Sequence, residues 1–251
     1  SALCKSLVFA SGTLEPLDRV VAECGLNATA QTKLAVKEHV VKREQMWLGA
    51  VWKAGGGGRP IKVVKSVPEW ASHYPGCSRG RASCACDWRQ HDAFLHMLGS
   101  ALVSLISVVP AGALVFFPSY SMLASAKAAW LRSGVWASLA GRKQVFCEAD
   151  VRDVRDSQAA FTRMVDGYKA AVDAPGGGAL LLAVLRGNLS EGVSLNGPYA
   201  RFVGIIGLPF GPVGEPKLEA KKKFNNAHRE ELGSGEEFYK RLMCRAVNQA
   251  L

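Results

Sequence analysis

Within residues 186–192, Arg-Gly-Asn-Leu-Ser-Glu-Gly, a guanidinium, a hydroxyl and a carboxylate share one short polar stretch with two glycines. Arg186, Gly187, Ser190, Glu191 and Gly192 are the residues whose types and spacing suit ligand contact, through side-chain donors and acceptors and through backbone at the glycines. Two apolar runs bracket the stretch. Residues 179–185 are almost continuously apolar and too few to cross a bilayer, and residues 202–208 are rich in β-branched side chains. Both suit strands of a parallel sheet covered on both faces. A polar loop beyond such a strand end lies where open α/β sheets place their chemistry.

The elements needed to hold that loop follow from periodicity. Residues 6–10 read as a short strand ending at Ser11-Gly12-Thr13, and residues 17–24 as a helix stopped by Gly25. Residues 46–52 are strand-like, the four glycines at 55–58 mark a turn, and residues 65–90, without periodicity, read as an inserted loop. Over 92–109 a helical repeat places Phe94, Leu95, Leu98, Leu102, Leu105 and Ile106 on one face. Strand 113–117, helix 121–131, strand 144–146 and helix 153–172 follow, then the two strands around the polar loop and charged helices near 216–232 and 235–251. This alternation predicts an α/β fold, a doubly wound parallel sheet, with no internal repeat.

Composition sets the outer limits. The chain has 251 residues, 49% of them hydrophobic, and a formal net charge of +10. That is ample for a real core and excludes global disorder. Residues 1–110 and 111–251 each carry an excess of five positive charges, so no basic tail stands apart; distributed charge fits a nucleic-acid groove and equally an ordinary basic protein. Seven cysteines at irregular spacing argue against a secreted disulfide framework. No charged-then-apolar leader is recognisable, and serines, Pro110 and Gly112 interrupt the longest apolar run, residues 98–117. An intracellular protein that does not span a membrane is expected.

Other clusters read less sharply. Cys77, Cys84 and Cys86, near His73 and His91, have a spacing unlike that of a zinc ribbon or finger, and no metal site is expected. Lys221-Lys222-Lys223 lies on a charged helix and reads as a solvated face. No G-x-x-x-x-G-K-[ST] loop is present; the glycines at 55–58 run into Arg59-Pro60, and proline lacks the N–H that a phosphate cradle uses. No Asp-Glu-Ala-His box is found either.

Five segments, taken in order, resemble motifs of the XPD-like branch of superfamily 2 DNA helicases. Ser11-Gly12-Thr13-Leu14 with Pro16 resembles motif III, although a helix-capping turn explains it as well. Residues 39–49, HVVKREQMWLG, resemble the segment after motif III in the telomere-length-regulator and Fanconi anaemia group J helicases. Residues 112–120, GALVFFPSY, resemble motif IV, and the apolar strand followed by Arg-Gly and Ser-Glu-Gly resembles motif V. Residues 238–251, with Arg245, Asn248 and Gln249, resemble the opening of motif VI. Two departures stand out: Ser194-Leu195 occupies the place of a usual Asp-Phe, and Asn188 that of a common lysine.

The resemblance implies a RecA-like doubly wound sheet. Residues 1–30 would be the end of the first motor domain and its linker; residues 31–251 would be the second motor domain, with the inserted loop at 65–90, ending inside motif VI. It implies an ATP-dependent 5′-to-3′ DNA helicase that is nuclear, uses ATP and Mg²⁺, grips single-stranded DNA and works with the first motor domain in cis. The family's iron–sulfur cluster would lie upstream of this chain. Ser11, Gly12 and Thr13 would couple nucleotide state to movement; Glu191, Gly192, Ser194 and Gln249 would face nucleotide; Ser119, Tyr120, Arg186, Gly187 and Ser190 would face DNA. Without a phosphate loop, an acidic box and the motif VI arginines, the chain alone is expected not to hydrolyse ATP. The alternative is a non-catalytic nucleic-acid-binding or interaction module derived from such a helicase.

Overall fold

The computed structural model describes residues 17–25, 49, 92–189, 193–207 and 215–250. The described residues fall into two compact units, 92–207 in one and 17–25 with 215–249 in the other. The expected strands at 6–10 and 46–52, the glycine turn and the inserted loop lie outside the described residues, as do Cys77, Cys84 and Cys86.

The smaller unit is helical. Its first helix, α1 (Leu17–Glu23), ends as expected at Gly25, whose φ of 64° places it in the left-handed region that glycine adopts without penalty.

In the larger unit, α2 (Asp92–Ile106) buries Phe94, Leu95, Leu98, Leu102 and Ile106, with Leu105 only half-buried at the margin of the apolar face. Strand β1 (Ala111–Phe117) follows, then α3 (Tyr120–Ser133), α4 (Val135–Ala140) and β2 (Gln144–Cys147). A short helix, α5 (Ala149–Arg152), precedes α6 (Ser157–Asp173), after which come β3 (Gly178–Val184), a 3₁₀ turn (Gly197–Ala200) and β4 (Phe202–Ile205). Helix α6 starts four residues later than periodicity predicts because Asp156 is its cap, its carboxylate accepting from Ala159 N at 3.2 Å. Strand β4 is shorter than the predicted 202–208: its pairing with β1 ends at Ile205, and Gly207 turns at φ 68°.

All strand pairs are parallel and the order is β2-β3-β1-β4. The two central strands are buried from their second residue onward, whereas β2 and β4 at the edges are only partly so. Alternation along the strands divides the core in two. Ala113, Val115, Phe117, Leu180, Leu182 and Val184 pack against α2, α3 and α4, while Leu114, Phe116, Ala179, Leu181 and Ala183 pack against α6. Helices on both faces make the doubly wound arrangement that the alternation predicts.

Fully buried Trp130 locks the first layer. Its indole N–H donates to Leu95 O at 2.6 Å, and its ring meets Phe117 edge-on at 6.0 Å. Gly99 permits this approach, since a Cβ there would lie 2.5 Å from the indole nitrogen.

The remaining helices belong to the smaller unit: α7 (Pro216–Ala227), α8 (Arg229–Leu232) and α9 (Gly235–Ala250). Ser234 and Glu237 form a reciprocal cap at the start of α9: Ser234 N donates to Glu237 Oε2 at 2.8 Å, and Glu237 N donates to Ser234 Oγ at 3.2 Å. Hydrogen bonding to Ser234, its amide first and then its side chain, holds the Glu237 carboxyl below its ordinary pKa. Arg241 ties α1 to this cluster, pairing with Glu23 at 3.5 Å and donating to Leu232 O at 3.1 Å.

Candidate nucleic-acid interface

Parallel pairing brings the carboxyl ends of three adjacent strands together. Phe117 of β1 is in register with Val184 of β3, and Leu182 of β3 with Cys147 of β2. The chain leaves β1 through Pro118-Ser119-Tyr120, leaves β2 at Glu148 and leaves β3 through Leu185-Arg186-Gly187-Asn188. Each exit is pinned to its neighbour by backbone bonds, Leu185 N to Phe117 O at 2.9 Å and Glu148 N to Leu182 O at 2.8 Å.

Glu148 lies at the centre of the three exits with 1% of its surface exposed. Its Oε1 accepts from the Tyr120 hydroxyl at 2.8 Å and from Asn188 N at 3.0 Å, and its Oε2 accepts from Val184 N at 2.8 Å. The two oxygens of the side chain meet this set as acceptors of all three donors. Burial, then the Glu148 hydrogen bond and charge, push the Tyr120 hydroxyl up to about 12. The Arg152 guanidinium stands 4.5 Å over the Tyr120 ring.

Arg186 is exposed, at the rim of this assembly, with φ 61°. The bond from Gly187 N to Val184 O, 2.9 Å, closes a tight turn whose third residue is Arg186, a position glycine or asparagine usually fills. A non-glycine residue there carries roughly 1–2 kcal/mol of local strain. Ser119 is exposed as well; its hydroxyl caps α3 by accepting from Met122 N at 3.2 Å, which leaves its proton for another acceptor.

Ser194 lies elsewhere in this unit. It lines an open cleft of about 530 Å³ opposite Thr162, Asp166 and Lys169 of α6, and its hydroxyl accepts from Asn196 Nδ2 at 3.1 Å. Asn188 lines the same cleft, linking it to the Glu148 assembly. Gln249 is exposed on α9 of the other unit, and Ser11, Gly12, Thr13, Ser190, Glu191 and Gly192 lie outside the described residues. The structure therefore gathers Ser119, Tyr120, Arg186 and Gly187 from the expected DNA set.

Sequence reading missed Glu148 and Arg152. The available signal was a carboxylate directly after a short apolar strand, but its meaning depends on β2 lying beside β3, which local sequence does not disclose. Buried Cys147, its thiol pushed up to about 11 by burial, is inert packing beside it. Among the described residues no three His, Cys, Asp or Glu side chains group as a metal site, and no helix is long and apolar enough to cross a membrane.

Residues 102–251 match the family model described as the helicase C-terminal domain. Regulator of telomere elongation helicase 1 homologs from Drosophila virilis and Drosophila melanogaster are each 31% identical to the chain over 98% of its length. The chain spans 22% of the length of each of those relatives. A solved structure of S. tokodaii Xpd4 is similar at 17% identity and a TM-score of 0.40, over 65% of this chain and 27% of that one. The parallel sheet layered by helices on both faces, with polar loops at its carboxyl edge, is a doubly wound α/β domain. The chain belongs to the helicase C-terminal domain family.

Proposed function

We propose that the chain is the second motor-domain portion of an ATP-dependent DNA helicase that moves 5′ to 3′ and grips single-stranded DNA at the carboxyl edge of its sheet. The observation that carries this reading is the convergence of the β1, β2 and β3 exits, which sets exposed Ser119 and Arg186 on one rim around buried Glu148. A cation held on a strained turn and a neighbouring hydroxyl suit phosphodiester oxygens rather than base edges. Contact of that kind is tolerant of sequence and steeply dependent on salt.

In the same reading ATP with Mg²⁺ sits between this domain and a first motor domain in cis. Glu191, Gly192, Ser194 and Gln249 are assigned to the nucleotide side, and Ser11, Gly12 and Thr13 to coupling. Ser190 joins the DNA side, and Tyr120, its hydroxyl engaged by Glu148, contributes through the loops it braces. The curated relatives are named as regulators of telomere elongation, which supports a nuclear protein acting on DNA.

The test is fluorescence anisotropy of a labelled oligothymidine with the full chain across a salt series, beside Arg186→Ala. Expected are binding that weakens steeply with salt, a clear loss in the variant, and a log–log slope shallower by about 0.7 for the lost single-strand phosphate contact. Binding indifferent to Arg186 would remove the loop from the DNA side.

A further inference from the structure

We propose that Glu148 is a positioning residue for the nucleic-acid grip: it fixes the Arg186–Asn188 turn to Tyr120, so that the loops leaving β1 and β3 meet the phosphodiester backbone as one preassembled surface. This rests on the DNA reading above for its functional consequence and on geometry alone for its structural part.

Three observations carry it. Glu148 is buried, and its two oxygens are divided among three donors from different segments: Tyr120 at the start of α3, Val184 at the last residue of β3 and Asn188 two residues beyond Arg186. The bonds to Val184 and Asn188 bracket the turn on both sides, so its left-handed residue is held from either end. Gly187 lies against the same group, where a Cβ would come within 2.8 Å of Oε1 and 2.9 Å of the Tyr120 hydroxyl, so the turn has one seating against the carboxylate. A fixed seating is what lets a long cationic side chain bind without first ordering the loop beneath it.

The chemistry supplies a discriminating sign. Removing a carboxylate beside a polyanion site strengthens binding when the carboxylate acts only through its charge. Glu148→Gln instead aims an amide N–H at one of the two backbone donors, because Gln offers one acceptor oxygen where Glu offers two. The turn then loses its brace, and affinity falls although a negative charge has been removed.

The experiment measures oligothymidine affinity of the full chain for wild type, Arg186→Ala, Glu148→Gln and the double variant, with Lys217→Ala, an exposed cation of the other unit, as the control. Tyr120→Phe, which removes one donor of three, serves in place of Glu148→Gln should that variant not fold. Amide hydrogen exchange at Val184 and Asn188 is followed in parallel. Expected are a loss of about tenfold in Glu148→Gln, the equivalent of one charge-assisted hydrogen bond. Arg186→Ala then adds less than about twofold in that background, being coupled to it. Lys217→Ala acts equally in both backgrounds, and exchange at Asn188 speeds up relative to amides in α9. Equal effects of Arg186→Ala in both backgrounds, or tighter binding by Glu148→Gln, would overturn the positioning role while leaving the DNA reading intact. Absence of binding by the wild type overturns the DNA reading instead; exchange at Val184 and Asn188 then decides, and unchanged rates in Glu148→Gln overturn the brace itself.

Discussion

Gly187 is packed directly on Glu148: a Cβ added to the glycine would lie 2.8 Å from Oε1, and equally 2.8 Å from the Val184 carbonyl oxygen. Neither neighbour is a loose chain end, since the carbonyl belongs to β3 and the carboxylate is held by three donors. Glycine is required here for space, whatever its backbone freedom.

Gly187→Ala is therefore expected to destabilise the larger unit by about 1–3 kcal/mol, the range for overpacking a filled site. Denaturant unfolding measures this directly. The new methyl displaces the carboxylate from Asn188 N, so oligothymidine affinity falls together with stability. Wild-type stability in this variant would show that the carboxylate swings aside at no cost, contrary to its bonding.

Arg186 presents the reverse case, a residue whose backbone suits glycine and whose side chain suits the site. Arg186→Gly and Arg186→Ala both remove the guanidinium, and only the first relieves the φ of 61°. The glycine variant is expected to be more stable than the alanine variant by about 1 kcal/mol, the left-handed penalty less the extra chain entropy of glycine. Both should bind oligothymidine equally weakly. An alanine variant as stable as the glycine one would mean that the turn relaxes.

Much of this was legible in the sequence, and the limits are physical. Strands β1 and β3 were legible because central parallel strands are apolar on both faces, and residues 113–117 and 179–185 read so without a partner. Helix α2 was legible from its repeat and α1 from the Gly25 that stops it, and the shift in the start of α6 traces to a cap, Asp156, outside its apolar pattern. The Glu148 assembly was not. The path from β1 to β2 passes over the position that β3 later fills, so the neighbours of Glu148 are set by strand order, and strand order is no property of a short window. Tyr120 illustrates the consequence: the resemblance to motif IV implied a DNA-facing residue, and nothing in its local sequence disclosed that its hydroxyl donates to a residue 28 positions away.

The smaller unit offers an independent test of burial energetics. Asn225 is completely buried on α7, and neither atom of its side-chain amide has a hydrogen-bond partner among the described residues. Unpaired polar atoms in such a place each oppose folding by about 1–3 kcal/mol. Asn225→Leu, of similar reach and without polar atoms, is expected to raise stability by about 1–2 kcal/mol. A lower melting temperature would show that the amide is bonded in solution, and that α7 owes part of its seating to that bond.

The hydroxyl of Tyr120 gives a reading of the site that needs no ligand. Burial first, and Glu148 second, raise its pKa to about 12, against about 10 for a free tyrosine. The unfolded chain releases this proton first, so the group's contribution to stability is complete below about pH 10 and is lost as pH rises towards 12. Tyrosinate absorbance of wild type less that of Tyr120→Phe should therefore titrate late. In Glu148→Gln the midpoint should move down while staying above the free value, because burial, the larger cause, remains. A midpoint that does not move in Glu148→Gln would mean that the carboxylate is not the acceptor of this hydroxyl, and the link between the β1 and β3 exits would fail with it.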